Sequence, residues 1–164
     1  MTDTPPILHM LCGKIASGKS TLAADLARSD RTVLIVEDEW LHTLFADQLA
    51  TGQDFLRCSG RLRDAMRGHV ASLLDARLSV VLDFAANTVE QRRWMRSILD
   101  QTEADHRLHV LDPPDALCLA RLQARNAGGE HEFSVTEAQF HAFTRHFVLP
   151  SPDEGFTVVN HPEG

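Results

Sequence analysis

One eight-residue stretch of this chain combines residue types that bind phosphate. Residues 13–20 read Gly-Lys-Ile-Ala-Ser-Gly-Lys-Ser, which fits the pattern G-x-x-x-x-G-K-[ST], and they hold both lysines of the chain. In this pattern the glycines let main-chain N–H groups approach phosphate oxygens, the second lysine binds the β and γ phosphates, and the last hydroxyl ligates Mg²⁺. The stretch therefore predicts a site for a nucleoside triphosphate, with ATP and Mg²⁺ as cofactors.

Each position of the stretch has an expected role. Lys19 is predicted to bind the β and γ phosphates during catalysis, and Ser20 to bind the metal. Lys14 occupies a variable position, where it can simply be solvated. The remaining nucleotide contacts are expected from main-chain or side-chain groups of Gly13, Ala16, Ser17, Gly18 and Thr21.

The elements on either side of the stretch agree with this interpretation. Residues 7–12 are mainly apolar, as in a buried parallel strand, and residues 19–28 carry apolar side chains at helical spacing. A strand that passes through such a loop into a helix brings the positive end of the helix dipole to the phosphates. The alternative, an unrelated turn rich in Gly, Ser and Lys, does not account for these flanking elements.

Strand and helix patterns alternate along the rest of the chain. Further strands are predicted at residues 32–36, 79–83, 108–111 and 156–159. Helices are predicted at 39–50, 58–77, about 88–100, 115 to about 126, and from a capping box of Ser134 and Glu137 to about 147, with residues 51–54 as a break. The alternation predicts an α/β fold, a five-stranded, mostly parallel sheet with helices on both faces, in one domain over residues 1–164.

Two carboxylates are expected at the carboxyl edge of this sheet, where ligands of such folds bind. Asp83 ends the third predicted strand and can hold Mg²⁺ through water or orient a neighbouring group. Asp38 follows the second strand and can accept a proton from an attacking hydroxyl, or position that hydroxyl. Asp38 can also be a helix N-cap, and Glu37 and Glu39 are plausible substitutes for it.

Arginines supply candidate phosphate contacts outside the glycine-rich stretch. Arg121 and Arg125 lie one helical turn apart before Gly128-Gly129, which predicts a mobile lid over about residues 121–135 that brings guanidinium groups onto the transferred phosphate. The alternative is an exposed pair on an amphipathic helix. A second group of arginines is expected either to bind a small phosphate or to form a solvated helix face: Arg57, Arg61, Arg63 and Arg67.

Composition narrows the classes of protein and partner. The chain is 43% hydrophobic and 24% charged, as in globular proteins, and its formal net charge of −7 argues against a nucleic-acid partner. No apolar run approaches the ~18 residues of a membrane span, so a cytoplasmic location is the default expectation. Cys12, Cys58 and Cys118 are expected to be buried apolar residues, and His106 and His109 to belong to a strand.

The ordered motifs resemble the bacterial predicted-kinase branch of phosphate-loop NTPases, often labelled AAA-type ATP-binding proteins. The resemblance is carried by residues 13–20, 36–39, 81–84, 90–93, Arg121 with Arg125-Asn126, and 150–154. This branch is similar to polynucleotide 5′-hydroxyl kinases, chloramphenicol phosphotransferases and zeta-type toxin kinases, which share a three-layer core like that of nucleoside monophosphate kinases.

The resemblance implies a role for several residues. It matches Asp38 to the general base, Asp83 to the acid after the third strand, and Arg121 and Arg125 to lid arginines. Leu41 departs from polynucleotide kinases, which have an arginine there, and this disfavours a polynucleotide substrate. We therefore expect an ATP-dependent phosphotransferase acting on a small-molecule hydroxyl; the alternatives are a nucleotide-dependent regulatory switch and a toxin-like nucleotide-sugar kinase.

Overall fold

Five parallel strands form one sheet in the computed structural model, which describes residues 4–128 and 135–161. The strands are Ile7–Gly13 (β1), Thr32–Val36 (β2), Ser79–Ala85 (β3), Asp105–Leu111 (β4) and Val158–His161 (β5). Their order across the sheet is β2-β3-β1-β4-β5, and each neighbouring pair is parallel. The predicted parallel sheet is confirmed, and its order places β1 and the loop that follows it at the centre.

Helices cover both faces of this sheet, as the alternation predicted. They are Lys19–Leu26 (α1), Glu37–Phe45 (α2), Gly52–Asp75 (α3), Val89–Leu99 (α4), Asp115–Gly128 (α5) and Glu137–Thr144 (α6), with short 3-10 turns at Ala46–Gln48 and Pro152–Glu154. None of the helices in the described ranges is both long enough and apolar enough to cross a bilayer.

The alternation of side chains along β1 separates two apolar cores. Leu8, Met10 and Cys12 point into the larger core, which the buried faces of α3 and α4 complete. Leu11 points to the other face, where it packs with Ala23 of α1. All three cysteines are buried and carry free thiols, so the prediction that they act as small apolar residues is confirmed.

The predicted break at residues 51–54 is wrong, because these residues begin α3. The Thr51 hydroxyl accepts a hydrogen bond from the main-chain N–H of Asp54 at 3.1 Å, and the Asp54 carboxylate accepts one from the N–H of Thr51 at 3.1 Å. This reciprocal pair is a capping box, and it satisfies donors that a helix start leaves unpaired. Its polar and glycine residues resemble a loop in sequence although they serve a 24-residue helix.

The cap gives a prediction for stability. Thr51→Ala removes the acceptor for the Asp54 N–H and is expected to lower the free energy of unfolding by about 1 kcal/mol. Urea titration followed by circular dichroism measures this change. Thr43→Ala, at an exposed mid-helix position of α2, is the matched control and is expected to cause no loss. Equal unfolding midpoints for Thr51→Ala and the wild type would contradict the cap.

Several other predicted boundaries also move. β3 continues two residues past Asp83 to Ala85 because Phe84 packs in the larger core, and β5 begins at Val158 rather than at 156. α6 ends at Thr144, and its capping box consists of Thr136 and Gln139 rather than Ser134 and Glu137. Ser134 itself lies outside the described residues.

A row of three histidines crosses β1, β4 and β5 on one face of the sheet. His9 Nδ1 lies 3.0 Å from His109 Nε2, and His109 Nδ1 lies 3.0 Å from His161 Nε2. Burial and, to a smaller extent, Arg107 lower the pKa of His9 to about 4. Burial, followed by His9, His161 and Arg107, also lowers the pKa of His109 to about 4. The expected place of His109 in a strand is confirmed, and its ring joins neighbouring strands.

This row predicts stability that depends on pH. Between pH 6.5 and about 4 the unfolded chain binds protons at His9 and His109 that the folded protein does not bind, so stability falls as pH falls through this range. Each histidine contributes a slope of up to about 1.4 kcal/mol per pH unit. Urea midpoints at pH 7.5, 6.0 and 5.0 measure this slope.

A paired substitution isolates the contribution of the histidine row. The double variant His9→Gln/His109→Gln is expected to have a shallower slope between pH 6.5 and 5, whereas His69→Gln, at an exposed position of α3, is expected to keep the wild-type slope. If the double variant keeps that slope as well, the row does not control the acid sensitivity.

Candidate functional site

The loop between β1 and α1 curls at two left-handed residues. Ala16 has φ 62° and Gly18 has φ 102°, and Gly18 is the N-cap of α1. Alternation of right-handed and left-handed conformations turns successive main-chain N–H groups toward one side of a loop, which forms an anion-binding concavity. The Ser17 hydroxyl is buried in this loop and has no hydrogen-bond partner among the described residues. The loop can therefore bind phosphate at the start of α1.

Asn87 fixes Gly13, the residue at which β1 passes into the loop, although sequence reasoning missed it. The N–H of Gly13 donates to Asn87 Oδ1 at 2.9 Å. The main chain of Asn87 is held in turn, because its N–H donates to Gln91 Oε1 at 2.8 Å and its carbonyl accepts from the N–H of Val148 at 2.8 Å. The sequence signals only a turn at Asn87-Thr88 before α4, and no local pattern connects it to a residue 74 positions away.

Lys14 is not solvated as expected, because it is paired with the start of α5. Its ammonium lies 2.5 Å from Asp115 Oδ1 and 3.3 Å from Asp112 Oδ1, and its side chain is 13% exposed. Gly13 pairs with Leu111 in the sheet, so the residues just beyond both strands meet. Lys14 thus anchors the loop to β4 and α5, and Lys19 is the lysine that begins α1.

α5 also lies against the phosphate-binding loop through its apolar face. Ile15 and Ala16 of the loop pack on a small cluster that contains Cys118, Leu122 and Phe140. Arg121 Nη1 donates to the carbonyl of Ala16 at 3.4 Å. The structure therefore brings one of the two predicted lid arginines to the loop.

The second predicted lid arginine lies one turn further along α5. The Nε of Arg125 is buried and makes no hydrogen bond to the described residues. Residues 129–134 of the predicted lid lie outside the described residues.

Ser20 and Asp83 form a pair of oxygen ligands beside the loop. Ser20 Oγ donates to Asp83 Oδ2 at 3.1 Å, across from α1 to β3. Mg²⁺ prefers oxygen donors and keeps several waters, so that one carboxylate, one hydroxyl and the substrate phosphates are sufficient. The two side chains therefore fit the predicted metal, with nucleotide phosphates and water as the remaining ligands.

Asp38 lies beyond the neighbouring strand β2, close enough to Asp83 for the two carboxylates to interact electrostatically. Burial, the charge of Glu37 and the charge of Asp83 raise the pKa of Asp38, and Lys19 and His42 oppose the rise. The residue is nevertheless exposed to solvent, as a group that meets a ligand must be. A raised pKa suits a carboxylate that takes up a proton during a reaction.

The alternative that Asp38 is a helix N-cap is wrong. The N-cap of α2 is Val36, and Asp38 is the second residue of the helix. β2 continues directly into α2 without a loop, so the helix starts earlier than the sequence pattern suggests.

Glu37 does not share the environment of Asp38. Its carboxylate is buried and accepts hydrogen bonds from Ser59 Oγ at 2.8 Å and Arg63 Nε at 3.3 Å. This pairing occupies Glu37 and leaves Asp38 as the carboxylate beside the loop. Glu39 is exposed.

The four arginines of α3 do not act as one group, neither as a phosphate-binding cluster nor as a solvated helix face. Arg57 and Arg61 are exposed, whereas Arg63 is mostly buried against α2 and α4. Arg67 donates to Ser97 Oγ at 3.1 Å and pairs with Asp64. Spacing alone could not separate them, because the buried face of a 24-residue helix depends on its neighbours.

A known protein family covers most of this chain. A family model of the AAA domain matches residues 8–150, which include the loop, both aspartates, Arg121 and Arg125. The chain belongs to the AAA domain family. No curated protein sequence matches this AAA domain.

Solved structures share its fold. A candidate kinase from Chloroflexus aurantiacus superimposes with a TM-score of 0.74 at 18% identity, over 98% of this chain and 86% of the other. The APS kinase of Mycobacterium tuberculosis, solved with AMPPNP and APS, gives 0.62 at 22% identity, over 96% and 89%. A sugar kinase from a Janibacter species gives 0.63 at 17% identity, over 97% and 88%. At these identities the likeness shows the fold alone: this AAA domain has a phosphate-loop, kinase-like fold, as the sequence resemblance implied.

Proposed function

We propose that this protein is an ATP-dependent kinase that transfers the γ-phosphoryl group to a hydroxyl of a small-molecule acceptor. The observation that carries the proposal is the position of Asp38 in the first turn of α2, directly beyond Val36, whose strand partner Asp83 accepts the hydrogen bond of Ser20 at the start of α1. The carboxylate of Asp38 also interacts electrostatically with Asp83 and Lys19. A carboxylate beside a phosphate and metal site can align a hydroxyl nucleophile. Its raised pKa suits it to take up the proton of that hydroxyl.

In the proposed reaction the acceptor oxygen forms a bond to the γ-phosphorus, and the bond from that phosphorus to the β–γ bridging oxygen breaks. Asp38 orients the hydroxyl and takes its proton, and ADP leaves with the bridging oxygen. Lys19 and the main-chain N–H groups from Gly18 to Thr21, at the start of α1, hold the phosphates. Gly13 contributes through the close packing of the loop, because its own N–H donates to Asn87. Mg²⁺, when bound through Ser20 and Asp83, neutralises phosphate charge.

The proposed lid comprises about residues 121–135 of a single domain over residues 1–164. Arg121 already contacts the loop at Ala16, and the buried Nε of Arg125 has no partner among the described residues. Both guanidinium groups then stabilise the charge that spreads over the transferred phosphoryl group, and closure excludes water. The acceptor is proposed to be a small molecule rather than a nucleic acid because the formal net charge is −7.

Release of ADP with and without acceptors tests this proposal. The purified protein is incubated with Mg²⁺·ATP and a panel of hydroxyl compounds that includes sugars, nucleosides, nucleotide sugars and amino alcohols. One compound class is expected to accelerate ADP release at least tenfold and to carry the γ-phosphate afterwards. Acceleration by nucleotide sugars alone would favour a toxin-like kinase, and slow hydrolysis that no acceptor changes would favour a regulatory switch.

A further inference from the structure

The sheet does not by itself fix the first turn of α2, which carries Asp38. The last paired residues of β2 and β3 are Val36 and Asp83. Beyond them β2 turns directly into α2, while β3 runs on to Ala85. The N-cap Val36 offers no side-chain hydrogen bond to the helix start. The separation of Asp38 from Asp83 therefore needs a tie outside both the strand ladder and the helix cap.

Arg63 of α3 bridges this gap. Its Nε donates to Glu37 Oε2 at 3.3 Å, and its Nη2 donates to the carbonyl of Ala85 at 3.1 Å. Ser59 Oγ reinforces the same carboxylate oxygen at 2.8 Å. One guanidinium thus joins the residue before Asp38 to the last residue of the strand that holds Asp83. The side chains of Glu37 and Arg63 are 7% and 12% exposed, so these bonds face little competition from water.

Arg63 is itself held in place by aromatic residues. Its guanidinium carbon lies 4.8 Å from the ring centre of Trp94 and 5.5 Å from that of Phe84. The indole N–H of Trp94 donates to the main-chain carbonyl of Arg63 at 3.0 Å. A planar cation stacked on a ring keeps a fixed direction for its donors. Arg63 is therefore a rigid part of the fold, unlike the exposed Arg57 and Arg61.

We propose that Arg63 is a positioning residue that sets the distance between the hydroxyl-orienting carboxylate of Asp38 and the metal-binding carboxylate of Asp83. This inference rests on the proposed function. It gives a role in that function to a residue that does not itself touch the substrate. It requires the forked donors of arginine, because one nitrogen binds Glu37 while another binds Ala85. A lysine retains the charge but cannot form both bonds in this geometry.

Kinetics with the acceptor that accelerates ADP release test the proposal. Arg63→Met is expected to lower kcat on the order of 10²-fold, because small displacements of a reacting group have effects of this size. The Kd of Mg²⁺·ATP, measured by calorimetry, is expected to stay within about twofold, since the loop is untouched. Arg63→Lys should restore the melting temperature but only a small part of kcat. Arg67→Met, one turn along the same helix, is the matched control and should keep the wild-type kcat.

A double variant separates positioning from simple stability. Arg63→Met leaves the Glu37 carboxylate buried without its cation, which is destabilising and can prevent folding. Glu37→Gln/Arg63→Met removes both charges and is expected to recover the melting temperature while kcat stays low. Recovery of kcat together with the melting temperature would overturn the proposal, because Arg63 would then serve only to neutralise Glu37.

A second readout does not depend on an acceptor. Mn²⁺·ADP is bound to the protein, and the paramagnetic broadening of the main-chain amide signals of residues 38–42 is compared between the wild type and the double variant. The broadening is expected to change at these residues and to stay constant for the amides of α1. Unchanged broadening at residues 38–42 overturns the inference. If no acceptor stimulates ADP release by the wild-type protein, that result counts against the proposed function instead. The broadening measurement then tests the role of Arg63 by itself.

Discussion

Asp38→Asn is expected to lower the rate of phosphoryl transfer by roughly 10²- to 10⁴-fold, the contribution typical of a positioned acid–base group. The substitution keeps the size of the side chain and removes the ability to take up a proton. Affinity for Mg²⁺·ATP should remain, because Asp38 belongs to α2 and the loop is formed by β1 and α1. Single-turnover transfer of labelled γ-phosphate, combined with calorimetry, measures both quantities.

The pH dependence of the rate gives a further check on Asp38. Burial, Glu37 and Asp83 raise its pKa above the usual 3.8, so the rate should fall as pH falls through a value higher than that of an ordinary aspartate. The Asn variant should lack this acid limb. The control is Glu39→Gln, which changes the exposed carboxylate next in the chain. It should keep the wild-type transfer rate and the fall of that rate at acid pH. Transfer at the wild-type rate by Asp38→Asn would remove Asp38 from the reaction.

Gly13→Ala is expected to weaken binding of Mg²⁺·ATP by roughly 10²-fold, or about 2.7 kcal/mol. A Cβ at this position would lie 2.4 Å from Ser17 Oγ, 3.1 Å from the carbonyl of Leu111 and 3.2 Å from Lys19 Cγ. The first contact is shorter than a Cβ atom can have, and the other two are tight, one of them against main chain, so Ser17 and the packing around it must shift. The N–H of Gly13 also loses its alignment with Asn87.

Gly60→Ala is the matched control for this substitution. Gly60 lies in α3, and a Cβ there meets nothing within 4 Å. The change should leave nucleotide affinity intact and raise stability by up to about 1 kcal/mol, since alanine favours helix. Calorimetric titration of both variants with Mg²⁺·ATP decides the matter. Equal affinities in Gly13→Ala and the wild type would mean that the close packing around Gly13 does not shape the binding site.

The sequence was sufficient for the fold and for the groups whose signal is local. The glycine-rich loop is recognisable because eight consecutive residues carry it, and Asp38 and Asp83 because each follows an apolar strand whose end must face the ligand edge. The same strand pattern predicted the parallel sheet. In all these cases the information lies within a few residues of the feature.

The groups that hold the site in place were not predictable, because their partners are distant in the chain. Asn87 binds Gly13 across 74 residues, and Lys14 binds Asp115 across 101. Arg63 had the same spacing and type as its exposed neighbours, and only the packing of α3 against α2 and α4 separates it from them. The start of α3 was missed because Thr51-Gly52 signals a turn as well as a cap.

Calorimetric titration of the wild-type protein with Mg²⁺·ATP, beside the folded Lys19→Ala variant, tests the central claim most directly. We expect one molecule of nucleotide to bind per chain in the wild type, and a severe loss of affinity when the ammonium of Lys19 is removed. A well-folded wild type that binds no purine triphosphate with Mg²⁺, or a Lys19→Ala variant that binds as tightly as the wild type, would contradict the claim that this loop is a triphosphate site.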